Sequence, residues 1–395
     1  MKRNIFFLGL VSLFNDFSNE MIQSVMPVFL TVTLGVPPLG VGLIEGIADA
    51  VASFLKIFSG WLSDRLRRRK LPAVMGYVLS VSTRPLFAIV THVSHALLLR
   101  VVDRVGKGFR EAPRDALIAE SAGRRSLARS FGLHRAMDAA GGMLGPLAAF
   151  ILLPIFQFNY RPLFLVAFGI GTLAIVSFVF VREPRRAPAP PSLPPRLKWA
   201  LFREHRSFAL FIAAVFLFGL GALPITLLLV KPIEAGVSLG AVPLFYFIYS
   251  LLFVASALPL GRLADRLGER VVISIGFSAA IAGYLALAFS DSLVAVVAAF
   301  ALFGVAAGAT DGVERALAAV LIGDELLATG EGLLNGAVGI SSLLAGVIGG
   351  VLWMEFGASA AFFYAAGVSA LGLILFAIIG FRRIMKGLRT IGRAA

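Results

Sequence analysis

The sequence predicts an all-α integral membrane protein with twelve transmembrane helices in two pseudo-symmetric six-helix bundles. Three observations carry this. Of the 395 residues, 58% are hydrophobic and only 15% charged, where a soluble protein carries about a quarter charged residues. Apolar stretches of about 20 residues recur along the chain, each long enough to cross a bilayer. Finally, Gly60-Trp-Leu-Ser-Asp64-Arg65 returns as Gly261-Arg-Leu-Ala-Asp265-Arg266. A unit repeated at half the chain length divides the protein into two related halves.

The first helix is expected over 5–33. Its opening, Met-Lys-Arg-Asn-Ile-Phe-Phe, is like that of a signal peptide, but Asn15, Asp16, Asn19 and Glu20 interrupt the apolar core and no small-residue cleavage site follows. It therefore reads as a retained span. Positions 16, 19, 20 and 23 share one helical face, which lines the interior. The second helix (39–63) carries Glu45, Asp49 and Lys56 at spacings of four and seven, again one face. Two readings stand for them: a packing ion pair between Asp49 or Glu45 and Lys56, or a place on a polar cavity. The third helix spans 72–91 and carries Arg84. The fourth (95–120) is the most charged, with Arg100, Asp103, Arg104, Lys107, Arg110, Glu111, Arg114 and Asp115. Its stretch from Arg110 to Asp115 is read as a polar end facing the cytoplasm, weakened by Pro113.

The fifth helix (130–154) bears His134, Arg135 and Asp138, then Gly141-Gly142-Met-Leu-Gly145-Pro146. Gly141 and Gly145 lie one turn apart and admit a neighbouring backbone. His134 is read either as a proton-binding site or as a hydrogen-bonded packing residue. The sixth helix covers 162–181. Residues 182–206 are rich in Pro and Arg and read as a stiff cytoplasmic linker, with a short surface helix possible over 196–206. Helices 7 to 12 are expected over 207–230, 238–260, 271–290, 293–320, 328–353 and 358–381. The domains are thus 1–181, the linker 182–206, 207–381, and a basic cytoplasmic tail, 382–395. In the second half Asp311 and Arg315 stand at i, i+4, as an internal pair or as binding groups. Aromatic residues from Phe245 to Phe253, with Phe216 and Phe218, read as lipid or core contacts or as an apolar cavity wall.

The formal charge of +14 does not require nucleic acid. Of 36 Lys and Arg, 25 fall at the termini and in loops on one side, against Arg161 and Lys231 on the other. That asymmetry places both termini in the cytoplasm, at the inner membrane, with anionic lipid heads as contacts. The chain has no Cys, so disulfides and thiolate metal sites are excluded. No Walker-type loop, no Gly-x-Ser-x-Gly and no metal-spaced His cluster occurs, so neither an enzyme nor a cofactor is expected.

The paired turns resemble the loop between the second and third helices of each half in the major facilitator superfamily, whose pattern is Gly-x-x-x-Asp-Arg-x-Gly-Arg-Arg. The first copy has Arg67 where Gly is usual and the second Glu269 where Arg is usual. Arg104-Val-Gly-Lys107-Gly108 resembles the family's helix-4 pattern Arg-x-x-Gln-Gly, with Lys107 in place of Gln. The run Gly141 to Pro146 resembles its helix-5 antiporter signature, without the trailing Gly-Gly. Arg114 lines up with Arg315, and Phe131-Gly132-Leu133 with Glu331-Gly332-Leu333.

The resemblance implies a secondary active transporter working by alternating access; the intact paired turns and cavity-facing charges argue against a non-transporting receptor or scaffold. It implies proton-coupled export of a small organic compound, driven by the proton gradient, in a monomer. Asp16 or Glu20 would exchange protons under the influence of Arg104. Gly60, Asp64, Arg65, Gly261, Asp265 and Arg266 would form the cytoplasmic gate, with Asp64 meeting the start of helix 11 and Asp265 the start of helix 5 near Arg129. The alternative is an exchanger of an organic or phosphorylated anion bound by Arg84, Arg104, Lys107 and Arg135. Metal export through Asp, Glu and His ligands is a minor reading.

Overall fold

The computed structural model describes residues 2–66, 68–122, 127–183, 205–322 and 327–391. Twelve long helices are present among them. In the first half these are α1 (Lys2–Val28, continued by a π-helical turn Phe29–Thr33), α2 (Pro38–Leu66), α3 (Lys70–Phe87), α4 (Val93–Ser121), α5 (Leu127–Ile155) and α6 (Tyr160–Val179). The second half has α7 (Arg206–Gly221), α8 (Val242–Leu267), α9 (Glu269–Phe289), α10 (Leu293–Ile322), α11 (Leu327–Phe356) and α12 (Ala358–Ile391). Ten of the helices are long and apolar enough to cross a membrane. The other two are α3, which carries Lys70 and Arg84 within 18 residues, and α4, whose charges are sequestered by neighbouring helices.

Two expected elements differ. The single helix 7 over 207–230 is broken: α7 stops at Gly221, and two short turns, Ile225–Leu228 and Val230–Glu234, follow Pro224. Proline cannot donate to the helical ladder and restrains the residue before it, which explains the break. The last helix does not end at residue 381 but continues to Ile391. The linker and its possible surface helix over 196–206 lie almost wholly outside the described residues.

Helix directions alternate, so both termini and the α2–α3, α4–α5, α8–α9 and α10–α11 joints share one end, the basic end. The packing differs between the two ends. At the opposite, far end one apolar core joins the halves, with Val25, Phe29 and Ile44 in the same cluster as Leu227, Phe300 and Phe362. Toward the basic end each half keeps its own core, around Leu8, Tyr77 and Phe178 in one and Phe211, Phe277 and Phe376 in the other.

Glycine makes the far-end seam possible. A Cβ on Gly42 would run into the carbonyl of Gly346, and one on Gly350 would come within 2.6 Å of Leu39 Cα. On α2, a Cβ at Gly46 would lie 3.0 Å from Leu343 Cα. These glycines therefore let α2 and α11 touch backbone to backbone across the halves. Phe158, held at φ 61° in the α5–α6 corner, sets its ring against Gly240 of the other half. The α8–α9 turn pivots on Gly268 at φ 91°, a conformation that favours Gly. The corresponding Arg67 of the first repeat lies outside the described residues.

Candidate functional site

Between the separate basic-end cores lies a cavity of about 560 Å³. Its first-half wall is built on α1, α2, α4 and α5, and includes Asp16, Glu20, Lys56, Lys107, Arg135 and Asp138. The second half contributes Asp311, Glu314 and Arg315 from α10, with Tyr246, Tyr249 and Phe253 from α8. The aromatic wall thus comes from the second half, while most of the charge comes from the first. Phe245 and Phe218 are placed differently: Phe245 is buried in the core and Phe218 stacks on Phe277 at 3.7 Å.

Arg110, Glu111, Arg114 and Asp115 also line this cavity, contrary to the expected polar helix end. Helix α4 runs unbroken through Pro113, and Arg110 and Arg114 are both buried. Lys107, Arg110 or Glu111, and Arg114 recur at helical spacing, so one face of α4 turns inward as a charged stripe. The Arg114–Arg315 correspondence in the sequence was the available signal, since both residues line the same space.

Most of the lining charges are paired. Lys56 Nζ lies 2.9 Å from Glu111, and Lys107 Nζ lies 3.9 Å from the same carboxylate. Lys56 does not pair with Glu45 or Asp49 among the described ion pairs. Arg114 reaches Asp115 at 2.9 Å and Asp138 at 4.0 Å, while Arg135 reaches Asp138 at 3.6 Å. Arg315 and Asp311 pair at 3.4 Å. Arg110 instead donates to Ser80 Oγ at 2.5 Å and lies 4.9 Å from the centre of the Tyr77 ring.

On α1, two amide–carboxylate pairs face the cavity. Asn15 Nδ2 donates to Asp16 Oδ1 and Asn19 Nδ2 to Glu20 Oε1, each at 2.9 Å. Tyr246 OH donates to Glu20 Oε2 at 2.5 Å, a bond across the halves. Asp16 on α1 and Asp138 on α5 both line the cavity. Backbone contact between α1 and α5 brings them there: a Cβ on Gly145 would lie 2.6 Å from Met21 N and 2.7 Å from Phe17 O.

Glu45, Asp49, Arg84, Arg104 and His134 are not among the residues lining this cavity. Arg104 is buried, with Nε 3.3 Å from Asp49 and Nη2 3.8 Å from Glu45. It serves those two carboxylates of α2, which corrects the expectation that its partner is Asp16 or Glu20. Glu45 is also gripped by Arg100, at 2.8 and 2.5 Å. Arg100 donates further to Gln23 Oε1 at 2.6 Å, and Gln23 donates to Thr226 Oγ1 at 2.6 Å across the halves. Two charge-assisted bonds to one carboxylate are the strong form of this interaction. His134 is buried against α1, its Nε2 2.7 Å from Ser12 Oγ, which is the packing arrangement of the two expected. Arg84 is buried against Asn15.

Of the gate residues, Gly60, Asp64 and Arg65 belong to α2, but their side chains lie outside the described residues. Gly261 has open space at its Cβ position. Asp265 and Arg266 are exposed on the last turn of α8, and Asp265 makes no ion pair among the described residues. The side chains at the start of α5, its expected partner, lie largely outside the described residues. No cluster of three or more potential metal ligands occurs among the described residues.

A family model described as the Major Facilitator Superfamily matches residues 8–247 and 232–392. The chain belongs to this superfamily. An uncharacterized MFS-type transporter of Methanocaldococcus jannaschii is 29% identical over 359 residues, covering 89% of each chain. The quinolone resistance protein NorA of Staphylococcus aureus is 27% identical over 210 residues, 51% of this chain and 52% of that one. Among solved structures, the nucleoside transporter NupG superposes with a TM-score of 0.77 at 15% identity, over 96% of this chain and 99% of the other. The fold is therefore the major facilitator fold, and the protein is a multi-pass membrane transporter rather than an enzyme.

Proposed function

We propose that this transporter exports a small organic compound in exchange for protons, with Asp16 as the proton-exchanging carboxyl. The observation that carries the reading is that Asp16 and Asp138 line one cavity from the packed helices α1 and α5, with Arg114 4.0 Å from Asp138. Two carboxyls sharing one cavity repel when both are ionised, which suits one of them to take up and release a proton as the cavity changes. Rocking of the halves, or a substrate reaching Asp138, supplies that change. The likeness to NorA over half the chain supports export. The aromatic wall supports an organic substrate.

The basic end is assigned to the cytoplasm by the distribution of Lys and Arg, at the inner membrane. On that assignment the cavity faces the cytoplasm, and basic loops meet anionic lipid. The working unit is taken as a monomer.

Proteoliposomes carrying a pH-sensitive dye test the reading. An imposed pH gradient is challenged with cationic, neutral and anionic compounds, for wild type, Asp16→Asn and Asp138→Asn. Substrate-dependent proton flux that both variants lose is the expected result. Substrate flux that moves no protons and survives in both variants would refute it. Arg110 motivates a second reading, because it lines the cavity with no carboxylate partner among the described ion pairs. Anion exchange without proton movement, abolished by Arg110→Gln, would identify an organic-anion exchanger.

A further inference from the structure

We infer that Arg84 is a positioning residue for Asp16, acting through the side chain of Asn15. Arg84 projects from α3 into the first bundle and is 1% exposed. Among the described residues it has no carboxylate within ion-pair distance. Its Nη2 donates to Asn15 Oδ1 at 2.7 Å, and Nη1 has no hydrogen-bond partner. Gly171 of α6 makes room for it: a Cβ there would contact Nη1 and come within 3.1 Å of Cζ.

The chemistry fixes a direction. A guanidinium only donates, so it requires the oxygen of the Asn15 amide. The amide nitrogen is thereby turned toward Asp16, where Asn15 Nδ2 donates to Oδ1 at 2.9 Å. A fixed donor favours the form of Asp16 that accepts, the carboxylate. Without Arg84 the amide is free to rotate by half a turn and offer its oxygen to a protonated Asp16 instead. Arg84 therefore biases the proton equilibrium of a carboxyl it does not touch.

The other charged groups around Asp16 are Glu20 on its own helix, Asp138 on α5, and Arg110 and, beside Asp138, Arg114 on α4. The same pattern recurs one turn on, where Asn19 donates to Glu20, but among the described residues no arginine is seen to donate to that amide.

This inference rests on the proposed role of Asp16 in proton exchange, and its test needs neither substrate nor gradient. A carbodiimide such as dicyclohexylcarbodiimide modifies protonated carboxyls in apolar surroundings. Mass spectrometry of the purified protein, labelled across a pH series, gives a labelling midpoint for Asp16, with Glu314 in the other half as internal reference. Arg84→Gln and Asn15→Leu are each expected to raise the Asp16 midpoint by about one pH unit, a tenfold change in proton affinity. The double variant moves it no further than the larger single change, because the two residues act in series. Arg84→Lys, still only a donor, retains most of the wild-type value, and Glu314 stays where it was in all four. An Asp16 midpoint unmoved in both single variants overturns the inference, as do additive shifts in the double variant. Shifted midpoints in a protein that moves no protons would sink the transport reading and leave the relay standing.

Discussion

Gly42→Val should prise the far end open. A Cβ at this position meets the Gly346 carbonyl carbon at 2.8 Å and its Cα at 3.3 Å, where ordinary contact begins at about 3.4 Å. The collision is with backbone on a helix that is pressed against α2 again at Gly350 and Gly46, so no side chain can rotate away. Overpacking of this kind costs about 1–3 kcal/mol. The cost falls only on the state in which the seam is closed, so the equilibrium shifts about 5- to 150-fold toward opening at that end.

The chain has no Cys, so Val338→Cys on the cavity wall gives a single reporter for a membrane-impermeant maleimide. In sealed vesicles the reporter is expected to react from the basic-end side in the parent protein. Adding Gly42→Val should slow that reaction and create one from the far side. Gly336→Ala on α11, whose Cβ would meet nothing within 4 Å, is the control and should change neither. Unaltered sidedness in a Gly42→Val protein that is still folded would refute the argument that this seam is the far-end closure.

Other perturbations have equally definite outcomes. Arg100→Leu strands Glu45, which is 1% exposed, and breaking a buried pair costs about 3–5 kcal/mol. Arg104 at 3.8 Å keeps the loss toward the lower figure, and adding Glu45→Leu should recover most of the lost thermal stability in detergent. Tyr246→Phe removes the bond to Glu20, with roughly 1.5–3 kcal/mol expected for a hydrogen bond to a charged group. A double-mutant cycle with Glu20→Leu should show that coupling in unfolding measurements, and zero coupling would contradict it. Gly145→Val, driven into the α1 backbone, should destabilise by about 1–3 kcal/mol or more, while Gly142→Ala, with open space around it, should leave the melting temperature nearly unchanged.

The spans were legible because hydrocarbon imposes a length and an apolar composition on each helix. The halves were legible because Asp64 and Asp265 sit in repeated turns. Even α4, with nine charged residues, could be placed as a helix by its apolar neighbours. The break after α7 was also in the sequence, at Pro224, but an apolar run on both sides of it masked the signal. Partner choice was not legible. Lys56 and Glu111, or Arg104 and Asp49, stand about fifty residues apart in the chain and meet only because α2 and α4 pack side by side. Helical spacing gives the face on which a charge lies, whereas the identity of the opposing helix comes from tertiary packing. Spacing alone therefore does not pair Arg104 with Asp49 on α2, nor show that the stripe from Arg110 to Asp115 borders the cavity.

The ion pairs seen among the described residues all join groups within one half, whereas the hydrogen bonds across the halves, from Gln23 to Thr226 and from Tyr246 to Glu20, have a neutral donor. Each half therefore carries its ion pairs with it when it moves. Separating the halves at the far end exposes amide, hydroxyl and glycine backbone, which water solvates readily, and leaves no stranded ion to rehydrate. The opening equilibrium should accordingly be almost indifferent to ionic strength, since screening acts on exposed charges and these pairs stay intact through the cycle.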